Sequence, residues 1–332
     1  MRDLVVGTRG SALAMAQTEL VCTALRARHP GLRIRIERIT TTGDVRADVP
    51  LSTLGRGIFV SEIESALRER RIDFAVHSAK DLPSTLASEL VLAAIPARED
   101  ARDVLVSRAG TLRQLPFGAR VGTSSPRRAC QLRALRPDLD LRDMRGNVDT
   151  RLRKLAAGEF DAIVLAAAGL NRLSRADVVT DWLSPAIMIP CVGQGALAIE
   201  TRADDTELVS LLSGLDDPQT RARVLAERAF LAELGAGCLA AVAAHATIEN
   251  DRLELLAMIG GADGKQHISR SSGSMRDAAG VGSRLARAML RDGAARFLAR
   301  TDGPLVNRRV IVTRPAEQSR ELLALLRARG AD

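Results

Sequence analysis

The run Leu4-Val5-Val6-Gly7-Thr8-Arg9-Gly10-Ser11-Ala12-Leu13 reads as a strand, a glycine-bearing turn and the first turn of a helix. Residues 3–7 form the apolar strand. Leu13, Ala16, Leu20 and Ala24 then repeat at helical spacing, and Ser11 stands where an N-cap belongs. Leu32, Ile34 and Ile36 alternate with arginines, a second strand signal. A polar, glycine-bearing loop over 40–57, a helix over 58–70 and strands at 73–77 and 90–96 continue the pattern. Strand and helix taking turns predicts an α/β unit with a mainly parallel sheet.

A second α/β unit begins near Asp100, with strands at 103–107, 119–122, 139–142 and 161–165 and helices at 125–135, 147–157 and 166–173. Pro185 and Pro190 bracket a return segment. Gly193-Gln194-Gly195 then leads into an apolar strand able to rejoin the first sheet. From about 217 the character changes to a helix over 218–234, alternating stretches at 242–249, 253–260 and 265–271, and a closing helix over 275–298. The expected division is 1–98 with 194–216, 99–193, a smaller α+β domain over 217–302, and an extension over 303–332. The extension holds one strand and one helix, too little to bury a core alone.

The 332 residues are 46% hydrophobic, enough for several cores. No apolar run nears the roughly 20 residues of a membrane span, and the first residues lack a signal-peptide pattern. A cytoplasmic protein with no membrane partner is expected. Cys22, Cys130, Cys191 and Cys238 show no Cys-x-x-Cys spacing, and His29, His77, His245 and His267 show no ligand spacing. Free thiols and no metal follow. A net charge of +8 raises the question of nucleic acid. Against it, aromatics are 2% of the chain, and only Lys80, Lys154 and Lys265 among 48 basic residues are lysines. Base-stacking platforms and lysine-rich tails are therefore lacking, and no nucleic-acid partner is expected. No interface patch is legible, so a monomer is the expectation.

Three turns follow strands and open helices: Gly7 to Ser11, Gly122-Thr123-Ser124-Ser125-Pro126-Arg127-Arg128, and Arg145-Gly146-Asn147-Val148-Asp149-Thr150-Arg151. Helix N-termini attract anions, and such turns share one crevice in doubly wound folds. Arg127 and Arg128 oppose a helix dipole unless an anion joins them. Several guanidinium forks around one cleft suit a substrate with several carboxylates. Lys80-Asp81 also follows a strand. It is either a surface ion pair or a functional pair in which Asp81 acts as acid, base or stabiliser of a cation. Cys238, in Gly235-Ala236-Gly237-Cys238, reads either as an inert small hydrophobe or, in a glycine-flanked loop, as an exposed thiol made reactive by nearby cations. A dicarboxylate-binding protein is the rival reading, and it needs neither Asp81 nor Cys238.

Taken in order, these stretches resemble the porphobilinogen deaminase (hydroxymethylbilane synthase) family. The matching segments are 7–17, 41–44, 57–64, 75–83, 122–132, 145–152, 161–173, 192–200 and 237–238. The resemblance implies two periplasmic-binding-protein-like domains, crossed twice by the chain, plus a smaller domain bearing a cysteine loop. It implies a transferase of haem biosynthesis that joins four porphobilinogen molecules head to tail into hydroxymethylbilane. It also implies a dipyrromethane cofactor held as a thioether by Cys238. By the same resemblance Asp81 is catalytic. Lys80, Ser11, Thr123, Ser124, Ser125, Arg127, Arg128, Arg145 and Gly146 bind the cofactor. Arg9, Arg145, Arg151, Arg172 and Phe59 bind substrate, with Gln17 and Asp44 as weaker candidates and Arg56 beside Phe59 in a lid-like loop. The residues after Cys238 (Leu239-Ala240-Ala241-Val242) depart from the family pattern. Residues 309–318 resemble the start of uroporphyrinogen-III synthase, as a fusion or as the downstream enzyme.

Overall fold

The computed structural model describes residues 3–42, 60–235 and 241–298, with scattered positions between 310 and 326. β1 (Leu4–Thr8) runs parallel to both β2 (Ile34–Arg38) and β3 (Phe74–Ser78). β10 (Leu197–Arg202) inserts antiparallel between β3 and β4 (Leu90–Ala94), giving the order β2-β1-β3-β10-β4. The second sheet repeats this plan with β5 (Asp103–Ser107), β6 (Arg120–Gly122), β7 (Asp140–Arg142), β8 (Ala162–Ala166) and β9 (Asp181–Leu183) in the order β7-β6-β8-β5-β9. β6 is parallel to β7 and β8, and β5 is antiparallel to β8 and β9.

The fold is α/β as expected, but both sheets are mixed rather than mainly parallel. The βα alternation builds only the parallel trio of each sheet. β5 and β10 arrive from the other sheet, at the carboxyl ends of that trio, and so must run against it. The chain thus crosses twice, over 95–102 and 184–196.

α1 (Ala12–Arg28) begins at Ser11, whose Oγ accepts from the Ala14 N–H at 3.2 Å, and ends with Arg26 and Arg28 against the negative end of its dipole. α2 (Ser61–Arg68) precedes β3. α3 (Pro126–Leu135) has proline in its first turn and Ser125 as N-cap, and α4 (Val148–Ala156) is capped by Asn147. α5 (Ala167–Arg172) follows β8 directly. Two elements carry little sequence signal. β9 is three residues long, too short to show alternation, and α6 (Thr206–Ser213) is only about two turns.

α7 (Pro218–Glu233) and α8 (Ala278–Arg291) pack on the third sheet, an antiparallel meander of β11 (Ala241–Glu249), β12 (Arg252–Gly260) and β13 (Gln266–Ser274). Asn250 and Asp251, both at positive φ, make the two-residue hairpin between β11 and β12.

Each sheet has its own apolar core. In the first, Val6, Phe74 and Ile199 meet Val21 and Leu25 of α1. In the second, alternate residues of β5 and β8 face opposite sides: Leu105 and Val164 join one cluster, Val104, Val106, Ile163 and Leu165 the other. Helices on both faces explain these near-continuous apolar strands. Phe230, Leu253, Leu255, Val281 and Met289 fill the third. Full burial of each such side chain stabilises the fold by about 1.5–3 kcal/mol, so Phe230→Ala would cost about 3–5 kcal/mol.

Candidate active site

The first turn and the Lys80-Asp81 turn meet at one cavity of about 60 Å³, lined by Arg9, Ser11, Gln17, Val60, His77, Ser78 and Asp81 among others. Gln17 and Ser78 bond each other across it, with Gln17 Nε2 donating at 3.0 Å. Ser11 Oγ accepts from a helix N–H, which leaves its O–H to donate. Asp81 ends a short 3₁₀ turn, Ala79–Asp81. Ala79 is buried and its N–H donates to Ala196 O at 3.0 Å, so the turn presents Asp81 outward. Asp81 is solvent-exposed at the cavity rim.

Two neighbours hold this turn. Arg228 of α7 donates to Pro83 O at 2.6 Å and Ser84 O at 3.2 Å. Gly193, at φ +69°, lies so close that a Cβ there would sit 3.0 Å from the Ala79 carbonyl carbon. A side chain at 193 would push the turn away. Burial pushes the Lys80 ammonium down, and Asp81 opposes that shift; Arg128 lowers it further.

The second anion turn is differently built than charge counting suggests. Ser124 Oγ donates to Met144 O at 2.8 Å and accepts from Met144 N at 2.9 Å, so this hydroxyl ties two loops together. Thr123 Oγ1 accepts from the Ser125 N–H, and Ser125 Oγ caps α3. Arg127 and Arg128 are buried, and the anion expected beside them is Asp103, from within the chain. Arg127 Nη1 reaches Asp103 Oδ2 at 2.6 Å, and Arg128 Nη2 reaches Oδ1 at 2.7 Å. Burial works against the Asp103 carboxylate, but the two guanidiniums prevail and hold its pKa far below the usual range.

Arg145 and Arg151 flank the third turn, in which Gly146 adopts φ +112°. Arg151 Nε donates to Gly146 O at 2.8 Å. Burial, with Arg128 and Arg145 nearby, pushes the Arg151 pKa down to about 10. The charges of Lys80 and Arg128, and of Arg151 with Arg128 and Arg145, repel one another across the cleft.

Arg172 is placed elsewhere. It lines a second cavity of about 360 Å³ with Leu20, Val21, Ala24 and Glu99, and its Nη2 donates to Gly195 O at 2.7 Å. Arg120, Arg136 and Arg142 pair with Asp161, Asp138 and Asp140 at the surface and belong to no site. Cys238, Phe59, Arg56 and Asp44 lie outside the described residues. Among the described residues there is no cluster suited to a metal ion and no helix long and apolar enough to cross a membrane.

The family model for "Porphobilinogen deaminase, dipyromethane cofactor binding domain" matches residues 4–210, and that for the "Porphobilinogen deaminase, C-terminal domain" matches 221–291. The chain belongs to the porphobilinogen deaminase family. Porphobilinogen deaminase of Roseiflexus castenholzii is 57% identical over 299 residues, covering 90% of this chain and 99% of that protein. The Deinococcus radiodurans porphobilinogen deaminase is 47% identical, covering 90% of this chain and 98% of its own. Among solved structures, the periplasmic aliphatic sulphonate binding protein of Escherichia coli is 16% identical, with a TM-score of 0.38 over 70% of each chain. A porphobilinogen deaminase is a transferase that joins porphobilinogen units head to tail into hydroxymethylbilane in tetrapyrrole and haem biosynthesis, with a dipyrromethane cofactor.

The cleft fits that cofactor. A dipyrromethane built from substrate carries several carboxylates. The cleft brings four cationic side chains, with Arg128 already bonded to Asp103, and the hydroxyl donors of Ser11 and Ser125. Sequence reasoning missed Asp103, Gln194, Arg98 and Glu227. The signals were a carboxylate opening an apolar strand and a glutamine between two glycines, both present in the sequence and both silent about their partners.

Proposed function

We propose that the cleft between the first two sheets holds a dipyrromethane tethered to Cys238, with Asp81 as the catalytic carboxylate. Lys80, Ser11, Thr123, Ser125, Arg128, Arg145 and Gly146 hold the cofactor, and Ser124 and Arg127 brace that surface through Met144 and Asp103. Arg9, Arg145, Arg151 and Phe59 bind the incoming substrate, and Arg172, from its separate cavity, binds only the lengthening chain. The three sheets accord with domains at 1–98 with 194–216, 99–193 and 217–302. A cytoplasmic location, and a link to uroporphyrinogen-III synthase through residues 303–332, complete the reading.

One observation carries it. Arg151 is partly buried, its Nε bonded to Gly146 O at 2.8 Å, within reach of the charges of Arg128 and Arg145. The folded chain holds like charges together at a cost that bound carboxylates relieve. The bound cofactor supplies the pyrrole carbon on which chain growth begins. Arginines and hydroxyls orient the substrate's carboxylates and so place its aminomethyl group by Asp81. When the C–N bond breaks, the electron pair leaves with ammonia and a delocalised cation remains on the substrate. The Asp81 carboxylate stabilises that charge and accepts the proton released when the new bond forms.

Intact-mass measurement tests the reading. The wild-type chain should carry the mass of two porphobilinogen-derived units, and Cys238→Ser should lack it. An unmodified, fully active wild-type chain would refute the proposal.

A further inference from the structure

Asp103 opens β5, and because β5 runs against β8 it pairs with Ala166 at the carboxyl end of the parallel strands, beneath the anion-binding turns. Its side chain is fully buried and gathers five donors. Arg127 Nη1 lies at 2.6 Å and Nη2 at 3.2 Å; Arg128 Nη2 at 2.7 Å and Nε at 3.0 Å; Gln194 Nε2 at 3.1 Å. Two guanidiniums and one carboxylate leave the trio with a single net positive charge.

The two arginines are not equivalent. Arg127 is closed in, with Nη1 also on Ile189 O at 2.7 Å and its buried Nε facing no acceptor among the described residues. Arg128 has Nη1 on Val164 O at 2.8 Å besides its two bonds to Asp103. That engages three of the five N–H donors of a guanidinium. Arg128 is also the one whose charge reaches both Lys80 and Arg151. A guanidinium presents its donors in one plane, so the two bonds from Nε and Nη2 to a fixed carboxylate set the plane of the remainder. Gln194, on the return crossing, bonds both Asp103 and Ala101 O (2.7 Å), which fixes the carboxylate to both crossings.

We infer that Asp103 is a positioning residue for Arg128: it holds apart and orients two guanidiniums that would otherwise repel, and so sets how well the cleft captures pyrrole carboxylates. This rests on the proposed role of Arg128 as a carboxylate holder.

The test uses the full chain, produced in a host that makes no porphobilinogen. Porphobilinogen is added, covalent loading is followed by intact mass, and KM and kcat are then measured on loaded enzyme. Asp103→Asn keeps the shape and removes the charge. Loading should slow and KM rise by about ten- to a hundredfold, with kcat changed less, because the effect lies in carboxylate placement. Asp103→Glu, which retains the charge, should recover part of both. A residue that only supports the fold would lower the unfolding midpoint of the chain while leaving the KM of the folded fraction alone. If folded Asp103→Asn loads and binds within about twofold of wild type while Arg128→Gln is impaired, the inference falls and the reading of Arg128 stands. Normal loading by Arg128→Gln removes the reading itself. If Asp103→Asn does not fold, Asp103→Glu decides alone: its longer arm displaces both guanidiniums, and an unchanged KM overturns the inference.

Discussion

Replacing Glu227 by alanine should loosen all three sheets at once. Glu227 lies in α7 and is fully buried. Arg98, on the first crossing, donates Nη1 to its Oε1 at 2.6 Å and Nη2 to its Oε2 at 3.2 Å. The Gly193 N–H, on the second crossing, reaches Oε2 at 2.7 Å, and the Ala246 N–H, on β11, reaches Oε1 at 2.9 Å. Truncation leaves Arg98 as a buried cation with no counter-charge at that site and orphans two backbone donors. Removing one partner of a buried ion pair costs about 3–5 kcal/mol, and each buried orphan adds about 1–3 kcal/mol less whatever relaxation allows. A total of about 4–6 kcal/mol is a large part of the 5–15 kcal/mol typical of folded proteins. Urea unfolding followed by tryptophan fluorescence and by circular dichroism is the assay. With a slope of roughly 2–3 kcal/mol per molar, the midpoint should fall by about 2 M, and the two probes should cease to coincide. Arg98→Met combined with Glu227→Met should lose less than Glu227→Ala alone, because no buried charge is left behind. A loss under about 1 kcal/mol for Glu227→Ala, or a double variant worse than both singles together, would refute the assignment of this pair as the junction of the crossings.

Asp81→Ala should reduce turnover by about a hundredfold or more while changing unfolding stability by no more than about 0.5 kcal/mol, since Asp81 is exposed; near-normal rates remove Asp81 from catalysis. Arg151→Gln should stabilise the cofactor-free chain by on the order of 1 kcal/mol, after allowing for the lost bond to Gly146 O, while weakening substrate binding. The sign follows from its lowered pKa: the charged form is penalised in the fold at every pH below about 10, and the penalty fades only as pH rises through that value. The gain should shrink at high salt, and a lower urea midpoint for the variant at low salt contradicts it.

Much of the fold was legible because its signals are local. The apolar run at Leu4, the helical stripe from Leu13 and the cap Ser11 each act within a few residues. So does the alternation in β11 to β13. The order of the three strand-to-helix turns and of Lys80-Asp81 along the chain carried the family resemblance. Ser124 illustrates the limit. Its hydroxyl looks available in the sequence, yet Met144, 20 residues away, occupies both its donor and its acceptor.

By itself, then, the sequence determined the α/β class and the family. Only the tertiary structure decided which charges are neutralised by the protein and which remain for a ligand. With 48 basic and 40 acidic residues, composition leaves every pairing open. The antiparallel arrival of β5 puts Asp103 under Arg127 and Arg128, and the crossings bring Arg98 to Glu227, 129 residues away. Those partners are chosen by strand direction and burial, and neither is written in any short stretch of chain.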